Sequence, residues 1–364
     1  MAAFVLATLS ASHGAAQDRQ DWKTDFSKAT VPLAEIVSGG PPRDGIPALD
    51  RPRFVDVATA DEWLDDREPL MVVEQGGEVR VYPLQILIWH EIVNDSVGGF
   101  PVAVTYCPLC NTALVFDRRL DGRVLDFGTT GMLRHSDMVM YDRQTETWWQ
   151  QATGEAIVGE LAGRSLPAVP SATLDWAAVR RLHPQARVLS RETGHRRPYG
   201  RSPYAGYDRS ESPIAAFFRG RADNRLPAKE RVVAVHAAGE STAYPFRELR
   251  KARVANDALG SRPLAVFWAP GAASAVDAEW VAVGREVGAT AVFSRSMAGR
   301  LLTFEPAGDG RFRDRDTGSV WSMAGRAEAG PLQGARLKAI AHGDFFWFAW
   351  AVFRPETRIW RQGK

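Results

Sequence analysis

The sequence has few cysteines, no excess of charge of either sign and no long apolar run. Two cysteines among 364 residues exclude a small scaffold that is held together by disulfides. The 45 Lys and Arg residues are balanced by 43 Asp and Glu residues, which leaves no basic surplus to neutralise nucleic-acid phosphates. Beyond the N-terminus, no stretch approaches the roughly 20 apolar residues of a membrane-spanning helix. We therefore predict no nucleic-acid partner and no membrane span in the mature chain, and the sequence leaves the identity of a small-molecule, metal or protein partner open.

The N-terminus resembles a secretory signal. An apolar run from Ala2 to Leu9 leads to small residues that end at Ala15-Ala16, after which the chain becomes polar. Although no Lys or Arg precedes the run, this order is typical of an export signal that is cleaved after Ala16. We predict a signal over residues 1–16, an N-terminal extension over residues 17–67, and export to the periplasm.

The chain reads as two copies of one unit. EPLMVVEQGGEVRVYPL, starting at Glu68, resembles ERVVAVHAAGESTAYPF, starting at Glu230, and matching Gly, Pro and Trp residues follow in the same order. In the first copy, alternating apolar residues around Gly76-Gly77 predict a hairpin. Helices are predicted over 83–93 and 174–182, and strands over 101–106, 114–117, 124–127, 138–141, 147–151 and 187–190. We predict a strand-dominated α+β fold of two tandem, pseudo-duplicated β-rich lobes: residues 68–190, an ordered linker over 191–229, and a degenerate second lobe over 230–360.

Reactive side chains are concentrated in the first copy. VTYCPLC aligns with VFWAPGA of the second copy, so both cysteines face alanines while the proline of the turn is kept. His-Glu at the end of the first predicted helix faces Ala-Arg, and the segment GTTGMLRHSDM falls where the second copy is shorter. The residues private to the first copy are Cys107, Cys110, His90, Glu91, His135, Ser136 and Asp137.

These residues support three different chemistries. In the leading interpretation, the Cys-x-x-Cys turn directs two thiolates at one ion, and His90 and His135 complete a site for zinc or copper. In the second, the chain is a thiol-dependent oxidoreductase that cycles between dithiol and disulfide. Its candidate catalytic residues are Cys107, Cys110, His90, Glu91 and Asp137. In the third, a structural disulfide stabilises a non-catalytic secreted binding protein. Whether the protein is an enzyme stays open at this point.

Several motifs resemble those of one known family. They are HEIVND from His90, PVAVTYCPLC from Pro101, VFDR from Val115 and VMYDRQT from Val139, followed by WWQQATGEAIVGE, HPQARVLSRETG and SPYAGY. Together they cover residues 51–207, and the C-terminal FWFAWAVFRPETRIW resembles the end of longer members. On these residues the chain resembles the domain-of-unknown-function family numbered 3179. The resemblance gives prominence to Cys107, Cys110 and His90, and it implies no activity, substrate or cofactor.

Overall fold

Strands dominate the structure, as the sequence predicts. The structure is a computed structural model and describes residues 21–209, 213–214 and 216–363. Strands make up 41% of it and helices 12%, arranged around several sheets. The predicted signal over residues 1–16 lies outside the described residues.

The described strands and helices are short and follow one another closely. The strands are β1 (Ile36–Ser38), β2 (Phe54–Val55), β3 (Pro69–Gln75), β4 (Glu78–Pro83), β5 (Ile92–Val97), β6 (Phe100–Cys107), β7 (Thr112–Asp117), β8 (Arg119–Leu120), β9 (Arg123–Val124), β10 (Phe127–Arg134), β11 (Asp137–Asp142), β12 (Trp148–Gln150), β13 (Glu155–Val158), β14 (Ala168–Val169), β15 (Ala172–Asp175), β16 (Arg187–Leu189), β17 (Arg231–Ala237), β18 (Glu240–Pro245), β19 (Val254–Leu259), β20 (Arg262–Ala269), β21 (Ala289–Ser294), β22 (Ser296–Met297), β23 (Arg300–Leu301), β24 (Phe304–Pro306), β25 (Arg311–Asp314), β26 (Val320–Ser322), β27 (Ala327–Ala329), β28 (Gly343–Phe346) and β29 (Arg358–Ile359). The helices are α1 (Val57–Asp61), α2 (Leu84–His90), α3 (Trp176–Leu182), α4 (Phe246–Ala252) and α5 (Trp347–Ala351). In the described ranges no helix is long and apolar enough to cross a bilayer.

Two eight-stranded sheets form the centre of the molecule, and each takes strands from both predicted copies. Sheet I has the order β29-β18-β17-β28-β7-β6-β5, with β14 also paired to β7. Sheet II has the order β19-β20-β21-β15-β3-β4-β16-β2. The copies meet where Asp344 of β28 pairs with Ala113 of β7, and where Thr173 of β15 pairs with Thr290 of β21.

Each large sheet therefore combines strands from the two predicted tandem lobes, residues 68–190 and 230–360. The hairpin β17–β18 lies in the same sheet as β5–β7, and β3–β4 lies in the same sheet as β19–β21. An uncovered edge strand exposes unpaired backbone N–H and C=O groups, and in each sheet a strand from the other part of the chain covers that edge.

Smaller sheets pack beside the two large ones. One has five strands in the order β1-β10-β11-β12-β13, and another has four in the order β24-β25-β26-β27. The five-stranded sheet brings the start of β11 towards the end of β6, because β10 and β11 form a hairpin whose two-residue turn is His135-Ser136. Both turn residues have positive φ, the geometry that matches the twist of a tight hairpin.

Two helices begin or end at residues that the sequence pattern did not predict. The sequence predicts a helix over 83–93, whereas α2 ends at His90 because Glu91 adopts φ 58° and β5 starts at Ile92. The sequence also predicts a helix over 174–182, whereas α3 starts at Trp176. The preceding strand β15 runs to Asp175, whose side chain caps the helix by accepting from the Ala178 amide.

Candidate metal centre

The Cys-x-x-Cys turn connects two buried strands. Cys107 is the last residue of β6 and pairs with Thr112, the first residue of β7. Inside the turn, the Cys110 amide donates to the Cys107 carbonyl at 3.3 Å. Asn111 completes the turn with φ 49°, a left-handed conformation that asparagine tolerates better than most residues. Both cysteines are free thiols, with exposures of 2% and 0%.

Three hydrogen bonds from distant parts of the chain fix this turn. They run from Tyr207 Oη to Leu109 O at 3.0 Å, from the Phe346 amide to Cys110 O at 2.8 Å, and from Arg231 Nη1 to Asn111 Oδ1 at 2.6 Å. The sulfur positions are therefore set by the tertiary structure as well as by the turn itself.

Replacing Asn111 separates the two roles of that residue. Asn111→Ala should lower the free energy of unfolding by about 3 kcal/mol, because it leaves the buried Arg231 donor unpaired and strains the left-handed backbone. Asn111→Gly loses the same bond without the strain, so it should recover about 1 kcal/mol of that loss. Urea unfolding of both variants measures the difference. An Asn111→Gly variant that is less stable than Asn111→Ala would contradict the backbone argument.

Asp137 joins the two cysteines. The two Sγ atoms and a carboxylate oxygen of Asp137 all lie within 4.8 Å of one another, so the three side chains can hold a metal ion. The Asp137 side chain is fully buried, and its Oδ2 accepts from Gln150 Nε2 at 2.6 Å and from the Ala152 amide at 2.8 Å. Its Oδ1 accepts from no N–H or O–H group, so the two neighbouring thiols are the donors left to this carboxylate. A buried carboxylate oxygen without an N–H or O–H donor is costly, and a bound cation would satisfy it.

Burial disfavours negative charge on every member of this cluster. It raises the pKa of Asp137 to about 7, although hydrogen bonds from Gln150 and the Ala152 amide oppose the shift. It also raises the pKa of the Cys107 thiol, and raises that of Cys110 well above its usual value. Without a cation, both thiols therefore keep their protons near neutral pH, and Asp137 loses its proton only around that pH.

Glu91 adds a second carboxyl group beside the cluster. Its φ of 58° ends α2, and its carbonyl accepts from the Tyr106 amide at 2.8 Å, which fixes it next to β6. Burial, together with the negative charge of Asp137, raises the pKa of Glu91 to about 8. A non-glycine residue with positive φ at such a position is strained, and strain of this kind is concentrated at functional sites.

Two tyrosines of the predicted linker cover the centre. Tyr204 and Tyr207 are largely buried, and burial raises the pKa of both hydroxyls. The negative charges of Glu91 and Cys107 raise the pKa of Tyr204 further, and those of Cys110 and Cys107 raise the pKa of Tyr207. Both tyrosines therefore lie close to the acidic groups. This part of the linker thus forms one wall of the centre.

His90 does not belong to this group of ligand atoms. Its Nδ1 lies 2.7 Å from the Pro47 carbonyl, and its Nε2 lies 2.6 Å from Tyr199 Oη. Because a carbonyl can only accept, Nδ1 carries the proton and Nε2 accepts from the tyrosine. Burial lowers the pKa of His90 to about 4. The imidazole is therefore a neutral, fully bonded group that supports the end of α2, and the predicted ligand set does not assemble around it.

His135 also lies outside the cluster. Its Nε2 is 3.2 Å from Glu35 Oε2, and its ring packs against Phe218 and Phe353. Its contribution is to the backbone: the His135-Ser136 turn brings Asp137 to the cysteines, and the Ser136 carbonyl lies 3.8 Å from Cys107 Sγ.

The structure therefore assembles part of the predicted site and adds to it. Cys107, Cys110 and Asp137 come together with Glu91 beside them, while both predicted histidines are bonded elsewhere. Sequence reasoning missed the residues that support Asp137 and cover the thiols, namely Gln150, Tyr204 and Tyr207. The tyrosine-rich SPYAGY segment was the available signal for the cover, but nothing in the sequence pairs it with the turn.

Comparison with known proteins gives a family and nothing more specific. Neither a curated protein nor a solved structure matches the chain. A family model described as "Protein of unknown function (DUF3179)" matches residues 43–357, which include the Cys-x-x-Cys turn, Asp137 and every strand of the two large sheets except β29. Because that match spans most of the chain, this protein belongs to the DUF3179 family.

Proposed function

We propose that this protein is an exported metal-binding protein whose metal centre is formed by Cys107, Cys110 and Asp137. The observation that carries the proposal is the buried cluster of three ligand atoms within 4.8 Å of one another, in which Asp137 Oδ1 accepts from no N–H or O–H group. Four acidic groups lie together there, and burial is the largest influence on the pKa of each of them. A divalent cation removes the cost of placing them together, because it stabilises their deprotonated forms.

The same electrostatics favour metal binding over thiol catalysis. Reactive cysteines have a lowered pKa and are partly exposed, because the thiolate is the nucleophile. Here both thiols are buried and their pKa is raised, so the free protein holds little thiolate. Metal coordination supplies the missing positive charge and deprotonates the thiols, whereas an oxidoreductase would need an accessible thiolate in the free protein.

The donor set favours zinc. Two thiolates suit zinc or cuprous copper, and the carboxylate of Asp137 is a hard ligand that zinc accepts and cuprous copper disfavours. Three protein ligands would leave one position of a tetrahedral zinc site for water or a further ligand. Glu91 is the nearby carboxyl group that could exchange a proton with a water molecule bound there. Coordination by both thiolates would also keep them from forming a disulfide in an oxidising compartment.

Metal content and thiol state test this function together. The protein should be purified without chelators, and its metals measured by mass spectrometry alongside a thiol titration in denaturant. We expect about one zinc per chain, two free thiols that resist oxidation while zinc is bound, and near-complete loss of zinc in Cys107→Ser. Asp137→Asn should weaken zinc binding roughly 10- to 100-fold.

Asp314→Asn is the matched control for Asp137→Asn. Asp314 is equally buried and accepts from Trp321 Nε1 at 2.8 Å, but it lies in the four-stranded sheet. This variant should lose stability and keep its zinc. A metal-free protein with a reversibly reducible Cys107–Cys110 disulfide would instead support the oxidoreductase, and a disulfide that resists mild reductant would support a structural role.

We further infer that the chain arose by duplication, because matching hydrogen bonds recur in both parts. The Trp149 indole donates to Asp142 at 2.9 Å, and the Trp321 indole donates to Asp314 at 2.8 Å. Other pairs follow the same correspondence: Tyr82 with Asp95 at 2.6 Å and Tyr244 with Asp257 at 2.8 Å, Asn94 Nδ2 with Phe127 O at 2.8 Å and Asn256 Nδ2 with Phe304 O at 2.8 Å. The metal centre then belongs to one copy only, because the second copy has alanines in place of both cysteines.

A further inference from the structure

An open cavity of about 370 Å³ lies on sheet II, with walls that include residues of β3, β15 and β21. The pairing of β15 with β3 ends at Ala172 and Val72, whereas β3 continues to Gln75. The sheet therefore opens beyond Ala172, and the cavity is lined by residues on both sides of that opening. A cavity of this size with apolar walls and a few polar groups is typical of a small-molecule site.

The part of this cavity that a ligand can reach is mainly apolar. Pro170, Ala172 and Ala324 are half-buried, and Ala339 is exposed. Phe293 is 5% exposed and adds a small aromatic area. A flat apolar ligand can therefore pack against side chains that other residues of the chain leave partly open.

Two histidines supply the polar groups of the cavity. His183 directly follows α3 and is 8% exposed, and His342 directly precedes β28 and is 9% exposed. His342 Nδ1 lies 2.9 Å from the Ile340 carbonyl, so Nδ1 donates and Nε2 is left as an acceptor. Neither ring nitrogen of His183 has a hydrogen-bond partner among the described residues. The cavity wall thus carries imidazole nitrogens that are free to bond a ligand.

Both imidazoles are neutral near neutral pH. Burial lowers the pKa of His183 to about 4, and the positive charge of Arg326 lowers it further. Burial also lowers the pKa of His342, although the nearby Asp344 carboxyl opposes that shift. Asp344 is itself engaged, because it accepts from Thr290 Oγ1 at 2.9 Å. Each histidine therefore offers an acceptor nitrogen and no positive charge.

A charged ligand or a metal ion fits this cavity less well. Glu74 is paired with Arg336, and Lys338 is exposed at the rim, where water weakens its attraction for an anion. Two imidazoles are half of a tetrahedral metal site. Among the residues that the structure describes, no group of three ligating side chains includes either histidine. The chemistry of the cavity therefore favours an uncharged molecule.

We propose that this cavity binds a small, uncharged phenol. The phenol hydroxyl donates to a free imidazole nitrogen, either Nε2 of His342 or the unprotonated nitrogen of His183, and the ring packs against Pro170 and Ala172. An aryl ether of the same shape fits less well, because it cannot donate and leaves the acceptor nitrogen unpaired. The proposal does not depend on the metal centre, since the two sites share no residue.

Calorimetric titration of the full chain with three probes tests this site. Phenol carries both the ring and the donor, anisole lacks the donor, and benzoate replaces it with a negative charge. We expect phenol to bind one per chain with a Kd of about 1 mM or tighter, and the other two at least roughly tenfold more weakly. Phenol should also shift the imidazole ring signals of His183 and His342 in nuclear magnetic resonance spectra, and leave those of the exposed His236 unchanged.

Variants of the two histidines assign the binding to this cavity. The leucine variant at the histidine that accepts from phenol, His183→Leu or His342→Leu, should weaken phenol binding at least roughly tenfold, and the glutamine variant should weaken it less, because the amide oxygen still accepts. His236→Leu, at an exposed histidine of β17, is the matched control and should bind as the native chain does.

Four results would each overturn the proposal. They are native binding by both leucine variants, equal affinity for phenol and anisole, tighter binding of benzoate than of phenol, and no phenol binding at about 10 mM. If a leucine variant does not fold, the imidazole signals of the native chain and the comparison of the three probes decide the question.

Discussion

If the proposed zinc centre forms, removing the zinc should reverse the response of the protein's stability to pH. In the metal-free protein, Asp137 and Glu91 have pKa values raised to about 7 and about 8, above the values of 3.8 and 4.5 for an exposed carboxyl. The unfolded chain therefore loses these two protons at lower pH than the folded one. The stabilisation from the two neutral carboxyls is complete below about pH 4 and is lost as pH rises through about 7 and 8.

The size of this effect makes it measurable. Each carboxyl contributes a slope of up to about 1.4 kcal/mol per pH unit between its unfolded and folded pKa. With zinc present the slope should change sign, because metal binding requires the deprotonated ligands and strengthens as pH rises. Free zinc at about 1,000 times its Kd would add about 4 kcal/mol to the free energy of unfolding.

Urea unfolding from pH 5 to 9, with zinc or with chelator, measures both slopes. Glu91→Gln and Asp137→Asn should flatten the slope of the metal-free protein. Glu68→Gln is the matched control, because burial also raises the pKa of Glu68 to about 8 while its partners are Gln85 and Arg191. That variant should change the slope equally with and without zinc. A metal-free protein whose stability increases from pH 5 to 8 would contradict the assignment of these two carboxyls.

Neither part of the chain should fold without the other. A fragment of residues 21–220 lacks β28, which covers β7, and a fragment of residues 221–363 lacks β15, which covers β21. Each fragment would also expose part of a shared core, because Trp347 belongs to the same buried cluster as residues of α2 and β6. We expect each fragment alone to lose cooperative unfolding entirely and the two to regain it when they are expressed together.

The control for this experiment keeps the chain intact during folding. A protease site inserted between residues 220 and 221 and cleaved after folding should leave a complex with nearly native circular dichroism. Both neighbouring residues are exposed or half exposed there. A single fragment that unfolds cooperatively at close to the native urea concentration would contradict the dependence of each part on the other.

Local features of the sequence predicted local structure well. Alternating apolar and polar residues and the turn residues Gly76-Gly77 predict a hairpin, which is present as β3–β4. The strand predicted before the first cysteine is present as β6. The end of α2 was predicted less well, because helical periodicity continues through Glu91 while its backbone does not. That left-handed residue depends on contacts with β6 which no local pattern contains.

The sequence by itself determined that this is a strand-dominated chain of the DUF3179 family with one Cys-x-x-Cys turn. These properties depend on the alternation of apolar and polar residues, on turn residues and on motifs, all of which lie within short stretches of the sequence. Only the tertiary structure decided that Asp137 joins the cysteines instead of His90, and that the two large sheets exchange strands. The physical reason is that a shared sheet depends on backbone pairing between distant segments, such as Asp344 with Ala113. A cluster of ligands also depends on which side chains are already hydrogen-bonded elsewhere, as the imidazole of His90 is. Neither leaves a signature in the residues of one segment.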